Sequence, residues 1–536
     1  MNSYLVLDPT NIQELTTNLK ETIDVNCIDL YCPILDNLIT TDDNDDSDES
    51  NKIFKSKFFI KKILDKINID ETSQTTPYIK RIFNAEIKNN YNGKIINKTL
   101  FIKVNPILDV IGYILEEFNT TNCLLPNYKA NLTSNYINNF NNQAYIDSFF
   151  SFLASKLTES GKCPCFPLFY GTVSATLNNY KFDITEDYSK IKYQNNYQKN
   201  INKLFRIEEI DIDSEIGSDS SHCSHCSHCS HCSDSSDSNL EIDTIEIDTI
   251  EIDTIEIDTI DIKDGSPSIS NSELNSNSEL NTLNITEIDD NYNFSELIDD
   301  NRTFKYCTLD NFPTQLLFIE NLEFTLDDII DNEDYNLVED EWKSILFQVC
   351  FGLAVAQKTY NFVHNDLHSQ NIMFTKTNEE FLYYEFNSKY YKVPTFGKIA
   401  KIIDFGRATF EYNNTIYFSN VFDENGDAEG QYDYPEDNSY ETCKIKPNPS
   451  FDLSRLASTI IEQFEETSSI YKLLKGWLTD KFGKNLSNHE DNFNLYIKIA
   501  KNINSAIPKK QLTKPIFKLF ITQKRKIDSK KFIFRF

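Results

Sequence analysis

Two segments in the first third of the chain show the alternation of apolar and polar residues that is typical of β-strands. Residues 81–87 alternate in this way, and a second apolar segment covers 100–104. Between them, Asn92 and Gly93 form a pair that favours a tight hairpin turn. The sequence therefore predicts two antiparallel strands here, and residues 166–172 predict a further short strand.

Helical periodicity, with apolar residues three and four positions apart, marks other segments. It predicts helices over 144–157 and 341–358, another that begins at Ser450, and a mostly helical region over 469–524. An apolar run at 315–320 predicts a strand before the second of these helices.

A long segment, 178–301, follows neither pattern. It contains Ser-His-Cys four times in 221–232, Glu-Ile-Asp-Thr-Ile four times in 241–260 and Asn-Ser-Glu-Leu-Asn twice in 271–281. Low complexity, high charge and few aromatic residues predict a disordered insert. The Ser-His-Cys units offer zinc ligands, but the neighbouring perfect repeats favour repeat expansion over a selected metal site. Because the insert has little to bury, removal of 205–295 is expected to leave the fold intact.

The net charge of −31 is concentrated in this insert, since residues 207–264 hold 18 acidic residues and one lysine. This balance argues against nucleic acid or an anionic membrane as the main partner, although the insert could meet a basic partner. No signal peptide is visible, and no apolar run reaches the length of a membrane span. With cysteines that lack a framework spacing, the sequence predicts a soluble, cytoplasmic protein in a reducing compartment.

The strongest chemical signal is the loop His364–Asn371, followed by Asp404-Phe405-Gly406 after an apolar run at 399–403 that predicts a strand. An H-x-D-x-x-x-x-N loop and a later D-F-G supply the parts that phosphoryl transfer requires. Asp366 would receive or orient the proton of an acceptor hydroxyl. Asn371 and Asp404 would hold Mg²⁺ on the phosphates of ATP. Between Asn371 and Asp404 the chain is longer than usual, and 375–396 is expected to form an extended hairpin.

These motifs, in this order, resemble the protein-kinase superfamily over 80–175 and 304–525. The long inserts and the H-N-D-L-H-x-x-N loop are similar to those of kinase-like proteins of giant DNA viruses of amoebae. The resemblance implies an α+β, two-lobed protein-kinase-like fold, with a small β-rich N-lobe, a large helical C-lobe and a long disordered acidic insert. The expected parts are an extension (1–78), the N-lobe (79–177), the insert (178–301), the end of the N-lobe with the hinge (302–322) and the C-lobe (323–536).

The resemblance alone assigns roles to further residues. Lys103 matches the strand lysine that binds nucleotide phosphates, and Asp147, or less favourably Gln143, matches its helical partner. Glu320 and Leu322 lie in the connection that would bind adenine. The remaining assignments are His364 as a catalytic residue, with Asp366 and Asn371, and structural roles for Phe405, Gly406 and Asp452.

The glycine-rich phosphate loop of the family is missing. No Gly-x-Gly-x-x-Gly occurs, and the only glycine before Lys103 is Gly93. Glycines allow backbone amides to approach phosphate oxygens closely. Without them, nucleotide affinity must come from Lys103, the metal ions and the adenine pocket.

Two residues of the catalytic loop also depart from the family. Asn365 stands where regulated protein kinases carry an arginine that pairs with a phosphate on the activation loop, so phosphorylation within 407–440 is not expected to switch the protein. His368 stands where Ser/Thr kinases usually carry lysine. Residues 434–436 match the family's Ala-Pro-Glu poorly, and the acceptor class therefore stays open.

Three functions remain at this point. The favoured interpretation is an ATP- and magnesium-dependent serine/threonine protein kinase that acts on a protein substrate, in the host cytoplasm or the virion if the protein is viral. The alternatives are a small-molecule phosphotransferase and a pseudokinase that serves as a binding scaffold. A pure scaffold has no chemical need for Asp366, Asn371 and Asp404 together. The oligomeric state stays open.

Overall fold

The computed structural model describes ten stretches of the chain: 12–34, 56–67, 81–118, 123–129, 134–211, 303–332, 335–424, 426–432, 446–487 and 493–536. Elements of the first half follow in chain order: α1 (Ile12–Thr22), β1 (Val25–Asp29), β2 (Phe58–Lys66), β3 (Ile82–Asn89), β4 (Ile95–Pro106), α2 (Val110–Ile114), α3 (Gln143–Glu159), β5 (Phe169–Leu177), β6 (Tyr180–Asp183), α4 (Thr185–Ile191), α5 (Asn195–Asn200), β7 (Phe205–Asp211), β8 (Thr303–Leu309) and β9 (Phe312–Glu320).

Elements of the second half complete the description: β10 (Phe324–Thr325), α6 (Leu326–Ile330), α7 (Glu339–Tyr360), β11 (Ile372–Lys376), β12 (Phe381–Phe386), β13 (Lys389–Pro394), β14 (Lys398–Ile402), β15 (Thr409–Tyr412), β16 (Thr415–Phe418), α8 (Phe451–Ile460), α9 (Ser469–Trp477), α10 (Phe493–Asn502), α11 (Pro508–Gln511), β17 (Ile521–Thr522) and β18 (Ile533–Arg535). Short 3₁₀ turns lie at Ser369–Asn371, Asn420–Phe422, Ile461–Gln463, Pro515–Phe520 and Lys524–Lys526.

The small lobe is built on one antiparallel sheet with the order β1-β5-β9-β4-β3-β2. Helix α3 connects β4 to β5 and packs against β5 and β9. The Asn142 side chain caps this helix by accepting a hydrogen bond from the N–H of Ala144. Apolar side chains on α3 are buried on nearly every face, because the sheet lies on one side and the large lobe on the other. The predicted strands and this predicted helix are thus all present.

The small lobe extends further along the chain than expected in both directions. Residues 1–78, expected to be an extension, contain α1, β1 and β2; β1 pairs with β5 and β2 with β3, so these strands complete the sheet. Residues from 178 onward, assigned to the insert, first form β6, α4, α5 and β7. Residues 212–302, which hold the repeats, lie outside the described residues, as does the acidic run at 41–49.

A second, three-stranded sheet with the order β6-β8-β7 lies beside the main one. Phe205 at the start of β7 is 2% exposed, and its ring lies 5.1 Å from that of Tyr197. The start of the predicted insert therefore contributes to the core of the small lobe.

The large lobe is mainly helical, with α7 and α8 buried at its centre. The predicted hairpin is confirmed, since β12 pairs with β13 in antiparallel register. Two C-terminal strands extend it into a sheet with the order β17-β13-β12-β18. Within 469–524, α9, α10 and α11 confirm the helical prediction. None of the helices in the described stretches combines the length and apolar character needed to cross a bilayer.

Candidate active site

The loop His364–Asn371 is held from below by one buried carboxylate. Helix α7 is capped at its C-terminal end by Asn361, which has a left-handed conformation (φ 46°). The chain then enters the loop. The Asp452 carboxylate at the start of α8 accepts hydrogen bonds from the N–H groups of His364 (3.0 Å) and Asn365 (3.1 Å). Burial raises the pKa of Asp452 to about 7, although these two N–H donors oppose the rise. Asp452 thus fixes the loop backbone, as the resemblance implied.

His364 is the first residue of the loop, and its side chain is fully buried. Its Nε2 lies 2.8 Å from the carbonyl oxygen of Ile403, and the N–H of Asp366 donates to its Nδ1 at 3.3 Å. The carbonyl can only accept, so Nε2 carries the proton and Nδ1 is the acceptor. Burial lowers the pKa of His364, and the imidazole is neutral. His364 therefore links the catalytic loop to the strand that leads to Asp404.

Asp366 and Asn371 lie together on this loop, as the sequence predicted. The Asn371 amide Nδ2 donates to the backbone oxygen of Asp366 (2.8 Å) and lies 3.1 Å from Nε2 of His368. Burial lowers the pKa of His368, so its neutral ring can accept that bond. Both amide hydrogens of Asn371 are then in use, and its Oδ1 remains as a polar atom that could bind a cation.

Asn365 ties the loop to the segment after Gly406. Its Nδ2 donates to the carbonyl oxygen of Arg407 (2.9 Å) and to Oγ1 of Thr409 (3.0 Å). The residue has φ 65°, a left-handed conformation that asparagine tolerates better than most residues. Its amide therefore makes a direct bridge to the segment that follows Gly406.

Lys103, Asp147 and Asp404 form one ionic cluster. Lys103 Nζ lies 2.7 Å from Asp147 Oδ2 and 2.9 Å from Asp404 Oδ1. The two carboxylates together raise the pKa of Lys103 against the effect of burial. Gln143 lies elsewhere, with its side chain against Gly406. The geometry therefore favours Asp147 over Gln143 as the partner of Lys103, and the shorter side chain still reaches.

Asp404 is the carboxylate of the cluster that remains open to a ligand, with 45% of its side-chain surface exposed against 2% for Asp147. Enclosure in the cleft opposes its ionisation, but the charge and hydrogen bond of Lys103 outweigh this and lower the pKa of Asp404 to about 2. Asp404 is therefore ionised across the physiological pH range.

Phe405 and Gly406 position Asp404. The Phe405 ring packs against Phe150 of α3 (5.0 Å between centroids) and against His364 (5.7 Å). The Phe405 ring is thereby held between α3 and the loop that carries Asp366. At Gly406, a Cβ atom would lie 2.8 Å from Nε2 of Gln143, so a larger residue here would displace the flexible Gln143 side chain.

Glu320 and Leu322 lie in the connection between the lobes. The N–H of Glu320 donates to the carbonyl oxygen of Leu168 (2.8 Å). Its carboxylate accepts from the N–H of Leu168 (3.0 Å) and from Nζ of buried Lys401 (3.2 Å). The Glu320 side chain is therefore engaged in holding the connection, and an adenine contact would have to come from its backbone oxygen or from Leu322.

The two strands that precede the Lys103 strand at the sheet edge are β2 and β3. The connecting residues 68–80 contain no glycine and lie outside the described residues. Gly93 (φ 71°) lies in the next turn, between β3 and β4. The glycine noted in the sequence is therefore not in the connection between β2 and β3.

Several site residues were not predicted. Asn105 donates to Asp147 Oδ2 (2.7 Å), two positions after Lys103 on the same face of β4. Asp327 of α6 accepts hydrogen bonds from Ser369 and Gln370 of the loop. Tyr496 of α10 donates to Asp366 Oδ1 (2.7 Å). Only Asn105 could have been found from the sequence, because it lies two positions from Lys103 on a predicted strand. Asp327 and Tyr496 come from segments that are distant in the chain from their partners.

The residues present fit magnesium and ATP. An ionised carboxylate and an amide oxygen are the hard ligands that Mg²⁺ prefers, and Mg²⁺ needs few protein ligands because it retains waters and phosphate oxygens. Lys103 supplies a cation beside them for a phosphate. Within the described stretches, no group of three or more His, Cys, Asp or Glu residues could hold a metal ion by itself.

Comparisons with known proteins find kinases. The chain is 37% identical to mouse serine/threonine-protein kinase haspin over 92 residues, which are 17% of this chain and 12% of that protein. It is 36% identical to the serine/threonine-protein kinase haspin homolog of Arabidopsis thaliana over 89 residues, which are 16% of this chain and 15% of that protein. It is 30% identical to a candidate serine/threonine-protein kinase of Acanthamoeba polyphaga mimivirus over 166 residues, which are 26% of this chain and 41% of that protein. The chain thus spans well under half the length of these relatives. No protein-family profile matches it.

Among solved structures, a kinase domain is similar to 38% of this chain and 73% of its own, with 18% sequence identity and a TM-score of 0.16. This score adds nothing to the assignment of the fold, which follows from the strand order, the helix between β4 and β5 and the site on the large lobe. Together with the kinase-named relatives, these features support a divergent protein-kinase-like protein of the type found in giant viruses.

Proposed function

We propose that this protein is an ATP- and magnesium-dependent phosphotransferase, and that it acts as a divergent serine/threonine protein kinase on a protein substrate. The observation that supports this most directly is the Lys103–Asp147–Asp404 cluster facing a catalytic loop with Asp366 and Asn371. The candidate cation, the two candidate metal ligands and the candidate base come from three separate segments of the chain, and Asp147 of a fourth segment holds the cation.

In the proposed reaction, Asp366 accepts the proton of a serine or threonine hydroxyl as that oxygen attacks the terminal phosphorus of ATP. Lys103 would bind phosphate oxygens, and Asp147 would keep its ammonium in place. Asn371 and Asp404 would hold Mg²⁺, which neutralises charge on the phosphates. Phosphoryl transfer relies mainly on such positioning and charge stabilisation.

The test is transfer from radiolabelled Mg-ATP to a degenerate serine/threonine peptide library by the full-length protein. Transfer that is lost in Asp366→Ala and Asp404→Ala supports the proposal. Asp187→Asn, which changes an exposed ion pair with Lys190 on α4, is the control and should leave transfer unchanged. Transfer that persists in Asp366→Ala would assign the activity to a contaminant or to another base.

A second candidate is a pseudokinase scaffold. It is favoured because segment 68–80, where the strand order of kinases would place the phosphate loop, contains no glycine. Its signature would be binding of ATP without transfer to any peptide. Isothermal titration with Mg-ATP and the transfer assay together distinguish the two: a scaffold would bind nucleotide in the wild-type protein and phosphorylate no peptide.

A further inference from the structure

The Asp366 carboxylate is contacted by a residue from a distant helix. Tyr496 lies on α10, 130 positions further along the chain, and its hydroxyl donates to Asp366 Oδ1 at 2.7 Å. Within the loop itself, His368 is engaged with Asn371 and is neutral, so it supplies no cation to Asp366. The other basic group near the carboxylate is Arg407, whose Nε lies 3.8 Å from Oδ2.

The direction of the hydrogen bond from Tyr496 is fixed by Arg455. Nε of Arg455 donates to the Tyr496 hydroxyl oxygen at 2.9 Å. A guanidinium group can only donate, so the lone pair of the phenol accepts this bond and its single proton is free to point at Asp366. Burial, together with the Asp366 charge, raises the pKa of Tyr496 to about 12, so the phenol keeps its proton at neutral pH.

Tyr496 is also held rigidly. Its ring packs against Phe451 (5.9 Å) and Phe493 (6.1 Å), and the Arg455 guanidinium lies 4.9 Å from its centre. At the C-terminal end of α10, the Asn448 amide donates to the carbonyl oxygens of Ile499 and Ile503. The helix that carries Tyr496 is therefore anchored to the segment that leads into α8.

We propose that Tyr496 is the positioning residue for Asp366: it binds Oδ1 and thereby turns Oδ2 toward the acceptor hydroxyl. A carboxylate on a loop can rotate, and one fixed donor on Oδ1 selects a single orientation. This inference rests on the proposed phosphotransferase function. The opposite reading, in which the Tyr496 hydroxyl occupies the place of the acceptor and blocks it, predicts an effect of opposite sign.

The test is Tyr496→Phe in the full-length protein, which removes the hydroxyl and keeps the ring. With the peptide library as acceptor, kcat should fall roughly tenfold, because one hydrogen bond to a charged group is lost, while KM for ATP stays the same within about twofold. In an Asp366→Ala background the same change should have no further effect. Tyr471→Phe, whose hydroxyl lies 3.5 Å from exposed Glu466, is the control and should match wild type.

Site-specific 3,5-difluorotyrosine at position 496 gives an independent measurement if Tyr496→Phe does not fold. This phenol is a stronger acid, and as a phenolate it can no longer donate to Asp366. At low pH, where the phenol keeps its proton, activity should be near that of wild type. As pH rises, activity should be lost at a lower pH than in wild type. The same replacement at position 471 should leave the pH profile of activity unchanged. Arg407, Arg455 and His368 also face this group, and they are identical in both proteins.

Each result decides between the ideas. An unchanged kcat in Tyr496→Phe, or an unchanged pH profile with difluorotyrosine, overturns the positioning role and leaves the phosphotransferase intact. A rise in kcat overturns it in favour of a block. Absence of transfer in the wild-type protein overturns the proposed function, and the positioning role with it.

Discussion

At the scale of single residues, Asp147 joins three parts of the site. Its Oδ2 accepts from Lys103 and Asn105, and its Oδ1 accepts from the N–H of Phe405 at 2.9 Å. One buried carboxylate thus connects β4, α3 and the segment that carries Asp404. A short side chain suits this role because it brings α3 close to both partners.

Asp147→Asn should weaken both fold and nucleotide binding. The amide cannot accept from all three donors or balance the charge of Lys103, so the free energy of unfolding should fall by about 1–3 kcal/mol, and the affinity for Mg-ATP should fall with it. Urea unfolding and isothermal titration measure the two effects. The control Asp187→Asn should change stability by less than about 0.5 kcal/mol; equal effects in both variants would show that Asp147 has no special role.

His364 should make stability depend on pH. Its pKa is lowered in the folded protein, so below the ordinary value of 6.5 the unfolded chain binds a proton that the folded protein does not. The stabilising contribution of the neutral ring is therefore complete above pH 6.5 and is lost as pH falls.

The measurement is urea unfolding of wild type and His364→Phe between pH 5 and 8. Wild type should lose up to about 1.4 kcal/mol per pH unit more than the variant as pH falls below 6.5. The pKa of His368 is also lowered and the pKa of Asp452 is raised. Both residues are present in each protein, so their effects on stability are common to the two. Parallel curves for the two proteins would mean that His364 titrates alike in both states.

The sequence predicted Asp366, Asn371 and Asp404 from their spacing within short motifs, whereas the roles of Lys103 and Asp147 came from the family resemblance. Tyr496 and Asp327 could not be predicted, because a tyrosine or an aspartate on a helix carries no local sign of a partner 40 to 130 positions away. The contact exists only once the large lobe is folded.

At the scale of elements, the C-terminal strands are part of the large lobe. β18 pairs with β12 in parallel register, and β17 pairs with β13. Phe534 lies 5.5 Å from Tyr384, and Phe536 lies 5.2 Å from Phe386. The extra length between Asn371 and Asp404 made the hairpin predictable, whereas three residues of β18 are too few to show a pattern.

Phe534→Ala should therefore destabilise the large lobe. The ring is partly buried, so the loss should be about 1–3 kcal/mol, below that of a fully buried phenylalanine. Phe482→Ala, at a side chain that is 77% exposed, is the matched control and should change stability by less than about 0.5 kcal/mol. Chemical denaturation measures both, and an equal effect would mean that β18 contributes no stability.

At the scale of the whole molecule, the small lobe is interrupted between β5 and β9, two strands that lie side by side in the main sheet. The chain leaves that sheet after Leu177, forms the three-stranded sheet β6-β8-β7, and returns at Phe312. Composition alone located the interruption but placed its start too early, because β6 and α4 are rich in the charged residues that also mark the repeats.

The position at which the insert begins decides which deletion leaves the fold intact. Removal of 205–295 would take away β7 with Phe205, a fully buried ring at the core of the second sheet, and should lower the free energy of unfolding by about 3 kcal/mol. Removal of 212–302 keeps β7 and β8, which are neighbours in that sheet. A short glycine–serine linker between Asp211 and Thr303 then closes a smaller loop, at little entropic cost.

The two deletions therefore form a matched pair that separates fold from insert. The 212–302 deletion should give soluble protein that melts within about 2 °C of wild type and retains any peptide phosphorylation, because none of the site residues lies in that range. The 205–295 deletion should melt at a clearly lower temperature. If the 212–302 deletion were insoluble, the repeats would be required for folding; if both deletions behaved alike, β7 would not be part of the lobe.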